Sequence, residues 1–356
     1  LGGFADQKVV LVGFGGFATK TNQHWDVRLR PAMLHEALKG THMYYSILHK
    51  TRFRYNVPVS EHMTEVRMCP RSEGMQRCLQ FELKTSPNAR IHQYMDYYGN
   101  RVHHFDIPAP HRQLVITAEA IVVFTSPPPL PDALSAAAWA ELDHIAETEN
   151  VWDFLTPSQF TQPTPLLQQL AEELDLHRRA DPLTLLREIN ERMYSSFAYT
   201  PQSTRVDSPI DEALAARRGV CQDYAHIMIA LLRSIRIPAR YVSGYLFHRV
   251  EDHDRSAQDA THAWIEAFLP ELGWVGFDPT NNLIAGERHI RAAIGRDYAD
   301  VPPTRGVYKG KAESALEVGV KVAPTEAPIG DIEVLPVTSS ITEAMESEFQ
   351  AQQQQQ

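Results

Sequence analysis

Features that would assign this sequence at a glance are scarce. Its 356 residues include only three cysteines, Cys69, Cys78 and Cys221. An odd number cannot all pair, and a chain this long needs no stapling, so a disulfide framework is not expected and a reducing cytoplasm fits best. Long apolar runs are missing. Near the start, Val9 to Ala18 carries three glycines and falls far short of the roughly 20 residues that cross a bilayer. No charged stretch or clear cleavage site accompanies it, so neither a membrane span nor a secretory leader is expected. Basic blocks are missing too. The balance of 34 basic against 44 acidic residues gives a net charge of −10 with no Lys/Arg stripe to grip phosphates, which argues against a nucleic-acid partner. Sixteen histidines are present, yet no Cys-x-x-Cys or His-x-x-x-His spacing gathers them, and neighbours such as His103 and His104 point to opposite faces of a strand. No metal and no cofactor is expected.

What is there suits a soluble globular chain, with 43% hydrophobic and 22% charged residues, and its length exceeds the usual size of one hydrophobic core. Residues 1–42 show no sustained period and read as an extension. Within them Val9-Val10-Leu11-Val12 and Gly13-x-Gly15-x-x-Ala18 imitate a dinucleotide-binding fingerprint, but the polar, irregular stretch that follows offers no helix, so the reading fails. From 43 to 126 the apolar residues alternate, as in Leu114, Ile116, Ala118, Ala120, Val122 and Phe124, which predicts an antiparallel β-sandwich-like domain. Gly99-Asn100 marks a hairpin turn. A proline run at 127–131 ends the last strand and opens a linker to about 160. From 161 to 325 helical stripes (Leu166, Leu167, Leu170, Leu174; Leu185, Leu186, Ile189, Met193) precede short strands, so the whole is α+β. The polar, glutamine-ending stretch 326–356 reads as a disordered tail.

The chemistry concentrates in that second region. Gly219 supplies a turn, and Ile227, Ala230 and Leu231 give helical spacing after it, so Cys221 falls at a helix N-terminus. Amide groups and the helix dipole there favour a thiolate, and the same amides suit the oxyanion of a tetrahedral intermediate. A thiol nucleophile needs a base and a group to orient that base. Two apolar runs, His262–Leu269 and Gly273–Asp278, are joined by a short connection and should pair as a hairpin. If its turn centres near Pro270, His262 and Asp278 lie directly opposite, about 5 Å apart at Cβ. His226, five residues after Cys221, is about 140° around the helix and faces away from the thiol. Asp223 reads as a first-turn acid.

These residues are similar to the bacterial transglutaminase-like proteins, some described as candidate cysteine proteases. The matching stretches are Gly219-Val-Cys-Gln-Asp-Tyr-Ala-His226, Arg233 to Tyr245, His262-Ala-Trp-Ile-Glu266, Gly273 to Asn281, and the closing Gly295 to Val301 and Arg305 to Tyr308. The β region resembles the N-terminal domain that accompanies this core in bacteria. The resemblance implies a papain-like fold, a Cys221–His262–Asp278 triad, and attack on a carboxamide or peptide bond of a protein or peptide substrate through a thioester. Water as acceptor makes a peptidase or amidase; an amine makes a transamidase. Tyr199, Trp264, Asp297 and Arg305 are further candidates for lining the cleft. The rival reading is a noncatalytic binding or scaffolding protein on the same fold.

Overall fold

The computed structural model describes residues 42–135, 137–148, 151–249 and 251–326. The glycine-rich run at 13–18 and nearly all of the extension and tail lie outside them.

One strand organises the N-terminal region. β1 (His42–Val66) is 25 residues long, and a strand of that length can serve two halves of a sheet. Its first half pairs with β5 (His111–Thr125) on one side and β14 (Ser314–Thr325) on the other. Its second half pairs with β4 (Arg101–Ile107) and β13 (Thr304–Lys309). β2 (Gln76–Ser86) flanks β5 and β3 (His92–Met95) flanks β4, completing a curled seven-stranded antiparallel sheet. The curl has a local cause. Tyr45, Ile47, His49 and Thr51 turn one set of positions inward, whereas His62, Thr64 and Val66 turn in the other set. The register shifts between Ser60 and Met63, around Glu61 at φ 47°, and a bulge that adds a residue exchanges the faces. The halves close over Tyr55, Val59, Val66, Phe105, Ile107, Leu114 and Ile116. The expected hairpin is present: Gly99 (φ 69°) turns the chain between β3 and β4.

The second core is α+β. A five-stranded antiparallel sheet runs in the order β11 (Leu283–Ile284), β10 (Gly273–Asp278), β9 (His262–Leu269), β8 (Ala239–Leu246), β12 (His289–Gly295). Around it are α1 (Ala138–Thr148), α2 (Pro165–Glu173), α3 (Pro182–Ser196), α4 (Ile210–Ala216) and α5 (Cys221–Ser234). Every residue of α5 from Gln222 to Arg233 is buried, the mark of a helix enclosed on all sides rather than laid on a surface. The short strands β6 (Ala198–Tyr199) and β7 (Arg218–Gly219) run parallel just before it.

Two boundaries drawn from the sequence need correction. Residues 304–325, assigned to the second core, form β13 and β14 and belong to the N-terminal sheet. Their signal was the alternation Leu316, Val318, Val320, Val322. The stretch 127–160 is more than a linker, because α1 buries Leu142 and the chain beyond it buries Phe154 and Phe160. Arg233 fixes this passage by donating to the carbonyls of Phe154 (3.0 Å) and Thr156 (2.9 Å).

Side-chain amides join the two regions. Gln76 both donates to the Arg291 carbonyl (2.9 Å) and accepts the Arg291 N–H (2.8 Å). Asn100 does the same at Ile294, at 2.8 Å each way. Each amide thus stands in for a neighbouring strand along the outer edge of β12 and satisfies backbone groups that would otherwise be buried unpaired.

Candidate active site

Cys221 opens α5, and the residues around it explain why the helix begins there. Val220 is extended (φ −109°, ψ 175°), and its N–H donates to the Asp223 carboxylate at 2.8 Å. Thr204 donates to the same oxygen at 2.6 Å. A Cβ on Gly219 would stand 2.7 Å from that carboxylate, so no larger residue fits. Burial, only partly offset by these hydrogen bonds, raises the pKa of Asp223. We expect Asp223→Ala to destabilise the fold by about 1–2 kcal/mol, the usual cost of a lost helix cap. A urea midpoint unchanged in the variant would contradict this.

His262 begins β9 and Asp278 ends β10. Leu269 pairs with Gly273 and Phe277 with Ile265, so the hairpin centres on Glu271, which takes a left-handed turn conformation (φ 65°). Asp278 is therefore level with Trp264, and His262 sits diagonally two residues away rather than directly opposite. The diagonal is still within reach: His262 Nε2 lies 2.8 Å from Asp278 Oδ2.

Asp278 is fully buried and saturated with donors. Oδ2 also meets Asn281 Nδ2 at 2.8 Å and His289 Nε2 at 3.2 Å. Oδ1 accepts the N–H groups of Thr280 (3.0 Å) and Asn281 (3.3 Å). Burial alone would raise its pKa, but the attraction of His262 and the hydrogen bonds from both histidines hold it far below the carboxylate range. For His262 the balance runs the other way. Burial pulls the imidazole down, and the charge and hydrogen bond of Asp278, followed by those of Cys221, push it up to about 10. With Nε2 taken by Asp278, His262 Nδ1 is buried without another partner in hydrogen-bond geometry. That ring atom is left for the thiol.

Donor atoms of His262, Asp278 and His289 lie within 4.8 Å of one another, close enough to raise the question of a metal. Hydrogen bonding accounts for the cluster better. His289 Nδ1 accepts from the Gly286 N–H at 3.4 Å, which places the ring proton on Nε2, where it is donated to Asp278. A metal there would drive that proton onto Nδ1, against another donor.

The other expected residues separate. Trp264 is buried and stacks on His262 (6.0 Å between centroids) with its ring edge to His289 (5.2 Å). It shields the imidazole and is itself shut off from solvent; Gly244 leaves the space for its ring. Tyr199 borders an open cavity of about 420 Å³ with Phe197, Ala198 and Arg255. Asp297 is a correction. It is 1% exposed and its carboxylate accepts from Phe160 N (2.8 Å) and Ala299 N (2.9 Å), so it braces the chain and cannot line the cleft. Arg305 is another: it lies exposed on β13, paired with Glu65 in the N-terminal sheet, and not on the elements that carry Cys221, His262 and Asp278. His226 faces away from the thiol, stacked on Phe160 and accepting the Tyr298 N–H at 3.1 Å. Sequence reasoning missed His289 and Asn281, which follow Asp278 in a stretch without periodicity.

A buried helix that opens on cysteine, with an antiparallel sheet carrying a histidine–aspartate pair, defines a transglutaminase-like core. The model of the transglutaminase-like superfamily matches residues 168–279, and that of the bacterial transglutaminase-like N-terminal region matches residues 45–123. An uncharacterized protein of Mycobacterium leprae is 34% identical over 278 residues, which are 78% of this chain and 97% of that protein. The chain belongs to the bacterial transglutaminase-like family. A protein-glutamine gamma-glutamyltransferase of Pseudomonas aeruginosa is 33% identical over 157 residues, 41% of this chain but 23% of that protein. A solved structure described as a candidate cysteine protease from Cytophaga hutchinsonii shares the fold, with a TM-score of 0.62 over 82% of this chain and 93% of that one, at 22% identity.

Proposed function

We propose that this chain is a cysteine-nucleophile enzyme that opens carboxamide or peptide bonds of a protein or peptide through a thioester. The observation that carries the reading is the division of the His262 ring, with Nε2 held by Asp278 and Nδ1 left toward Cys221. In this reading Nδ1 already holds the thiol proton, as a His262 pKa of about 10 implies, and the Cys221 thiolate attacks the carbonyl carbon. The resulting oxyanion is stabilised by the amide groups at the start of α5. Collapse of that intermediate expels the amine, which takes the proton from His262, and leaves the thioester. Water or a second amine then attacks, giving up its proton to the imidazole; the acid or new amide departs and the thiolate is restored. Of the two outcomes we favour hydrolysis, as a peptidase or amidase, over transamidation.

The test is mass spectrometry after incubation with a glutamine-containing peptide library, with and without a primary amine, beside Cys221→Ala. We expect cleaved or deamidated peptides with the parent protein and none with the variant. Amine-dependent adducts would make the protein a transamidase, and an unchanged library in every arm would favour a scaffolding role.

A further inference from the structure

The cavity bordered by β6, the strand that pairs with the chain just before Cys221, is charged on one wall in a way that acyl transfer by itself does not require. Its lining residues are Phe197, Ala198, Tyr199 and Arg255. Tyr199 ties it to the nucleophile: its backbone pairs with Gly219, two residues before Cys221, and its phenol feels the charge of the thiol. Arg255 is held in place from several directions. Its Nη1 donates to the carbonyls of Tyr194 (2.7 Å) and Phe197 (3.3 Å), and its guanidinium lies 3.3 Å from the centroid of the Tyr194 ring. The Arg255 backbone N–H donates to Asn281 Oδ1 at 2.7 Å, and the same side chain donates to Asp278 Oδ2 at 2.8 Å. One asparagine therefore sets both the triad carboxylate and the arginine.

Among the described residues the Arg255 guanidinium forms no ion pair with a carboxylate; its partners are the two carbonyls, the Tyr194 ring and the Tyr224 hydroxyl. Beside it, the buried hydroxyl of Tyr224 meets the guanidinium, whose charge and hydrogen bond oppose the desolvation that raises the phenol, while its ring packs on Phe197. An arginine pinned by one terminal nitrogen keeps further N–H donors in a planar fork suited to a carboxylate. A protein of net charge −10 gains nothing from such a site through general attraction, so the pairing must be local.

We propose that this cavity is a carboxylate-binding subsite, and that the substrate carries a carboxylate next to the amide attacked by the thiol. The proposal rests on the acyl-transfer reading above and names its substrate class. The competing account is a purely structural strap, in which Arg255 caps the end of α3 and contributes to stability alone.

Binding separates the two without requiring turnover. In the full chain carrying Cys221→Ala, calorimetry would compare N-acetyl-glutaminyl-glutamate amide with N-acetyl-glutaminyl-glutamine amide, which differ by one charge. The acidic peptide should bind more than about tenfold tighter, as a charge-assisted hydrogen bond gives. Arg255→Met, added to that background, should erase the difference, and Arg255→Lys should keep part of it. Equal affinities, no measurable binding of the acidic peptide at millimolar concentration, or a preference that survives Arg255→Met would overturn the subsite. If Arg255→Met does not fold, the parent and Arg255→Lys comparisons decide. Cys221-dependent product from the peptide library, with no preference for the acidic peptide here, would remove the subsite and leave the nucleophile reading intact.

Discussion

Replacing Asp278 with asparagine is expected to lower the rate of the proposed acyl transfer by about three to four orders of magnitude, the scale of loss when a base is held in the wrong tautomer. The surroundings dictate which way the new amide would lie. Thr280 and Asn281 present backbone N–H groups to the Oδ1 position, so the amide oxygen must turn there. Its NH2 then takes the Oδ2 position, facing His262, His289 and Asn281. An NH2 can only donate to His262 Nε2, which puts the ring proton on Nδ1 and leaves no base for Cys221. It also meets donors from His289 and Asn281 that lose their acceptor, which adds a stability cost of a few kcal/mol. Loss of the carboxylate removes the main influence that holds the imidazole up near 10. Its titration, followed by NMR, should fall below the ordinary value of about 6.5. A variant that keeps more than about a tenth of the parent kcat/KM, or a His262 titration left unmoved, would contradict the assigned tautomer.

The sequence carried the site better than it carried the edges of the fold. Cys221 was legible because a glycine turn followed by a helical apolar period fixes where a helix starts. His262 and Asp278 were legible because two short strands with three residues between them have few ways to pair. The pairing came out two residues displaced from expectation, since Glu271 rather than Pro270 centres the turn. A side chain as long as histidine tolerates that displacement. His289, Asn281 and Arg255 could not be read in the same way. They converge through loops and a distant strand, and no local period reports a contact between residue 255 and residue 281. The assignment of 304–325 failed for a related reason. Alternation identifies a strand, but only tertiary pairing shows which sheet it joins.

The stability of the folded chain should be greatest near pH 7 and fall by several kcal/mol toward pH 5. The cause lies in histidines that the reaction does not use. His49, His62, His103 and His226 are buried, and desolvation lowers their pKa to about 4, 4, 4 and 3. His111 adds to the effect at His62, Arg101 at His103 and Arg233 at His226. Between those values and the unfolded value near 6.5, the unfolded chain binds protons that the folded chain refuses, so stability drops as the pH falls. The effect at pH 5 is of the order of 2 kcal/mol for each histidine, a large share of a typical total of about 5–15 kcal/mol. His262 acts with the opposite sign. Its pKa is raised to about 10, so its contribution is complete below about 6.5 and is lost as the pH rises through 10. Asp278, depressed far below the carboxylate range, contributes above about pH 4 and adds to the loss only in stronger acid. Urea midpoints measured from pH 5 to 9 should therefore trace a maximum near neutrality with the steeper side toward acid. His226→Gln supplies the control, because an amide oxygen can accept the Tyr298 N–H that His226 Nε2 accepts at 3.1 Å without taking up a proton. The variant should recover about 2 kcal/mol of the difference between pH 7 and pH 5. A parent midpoint that stays level over that interval, or a variant with the same slope, would show that these rings are not held neutral by burial.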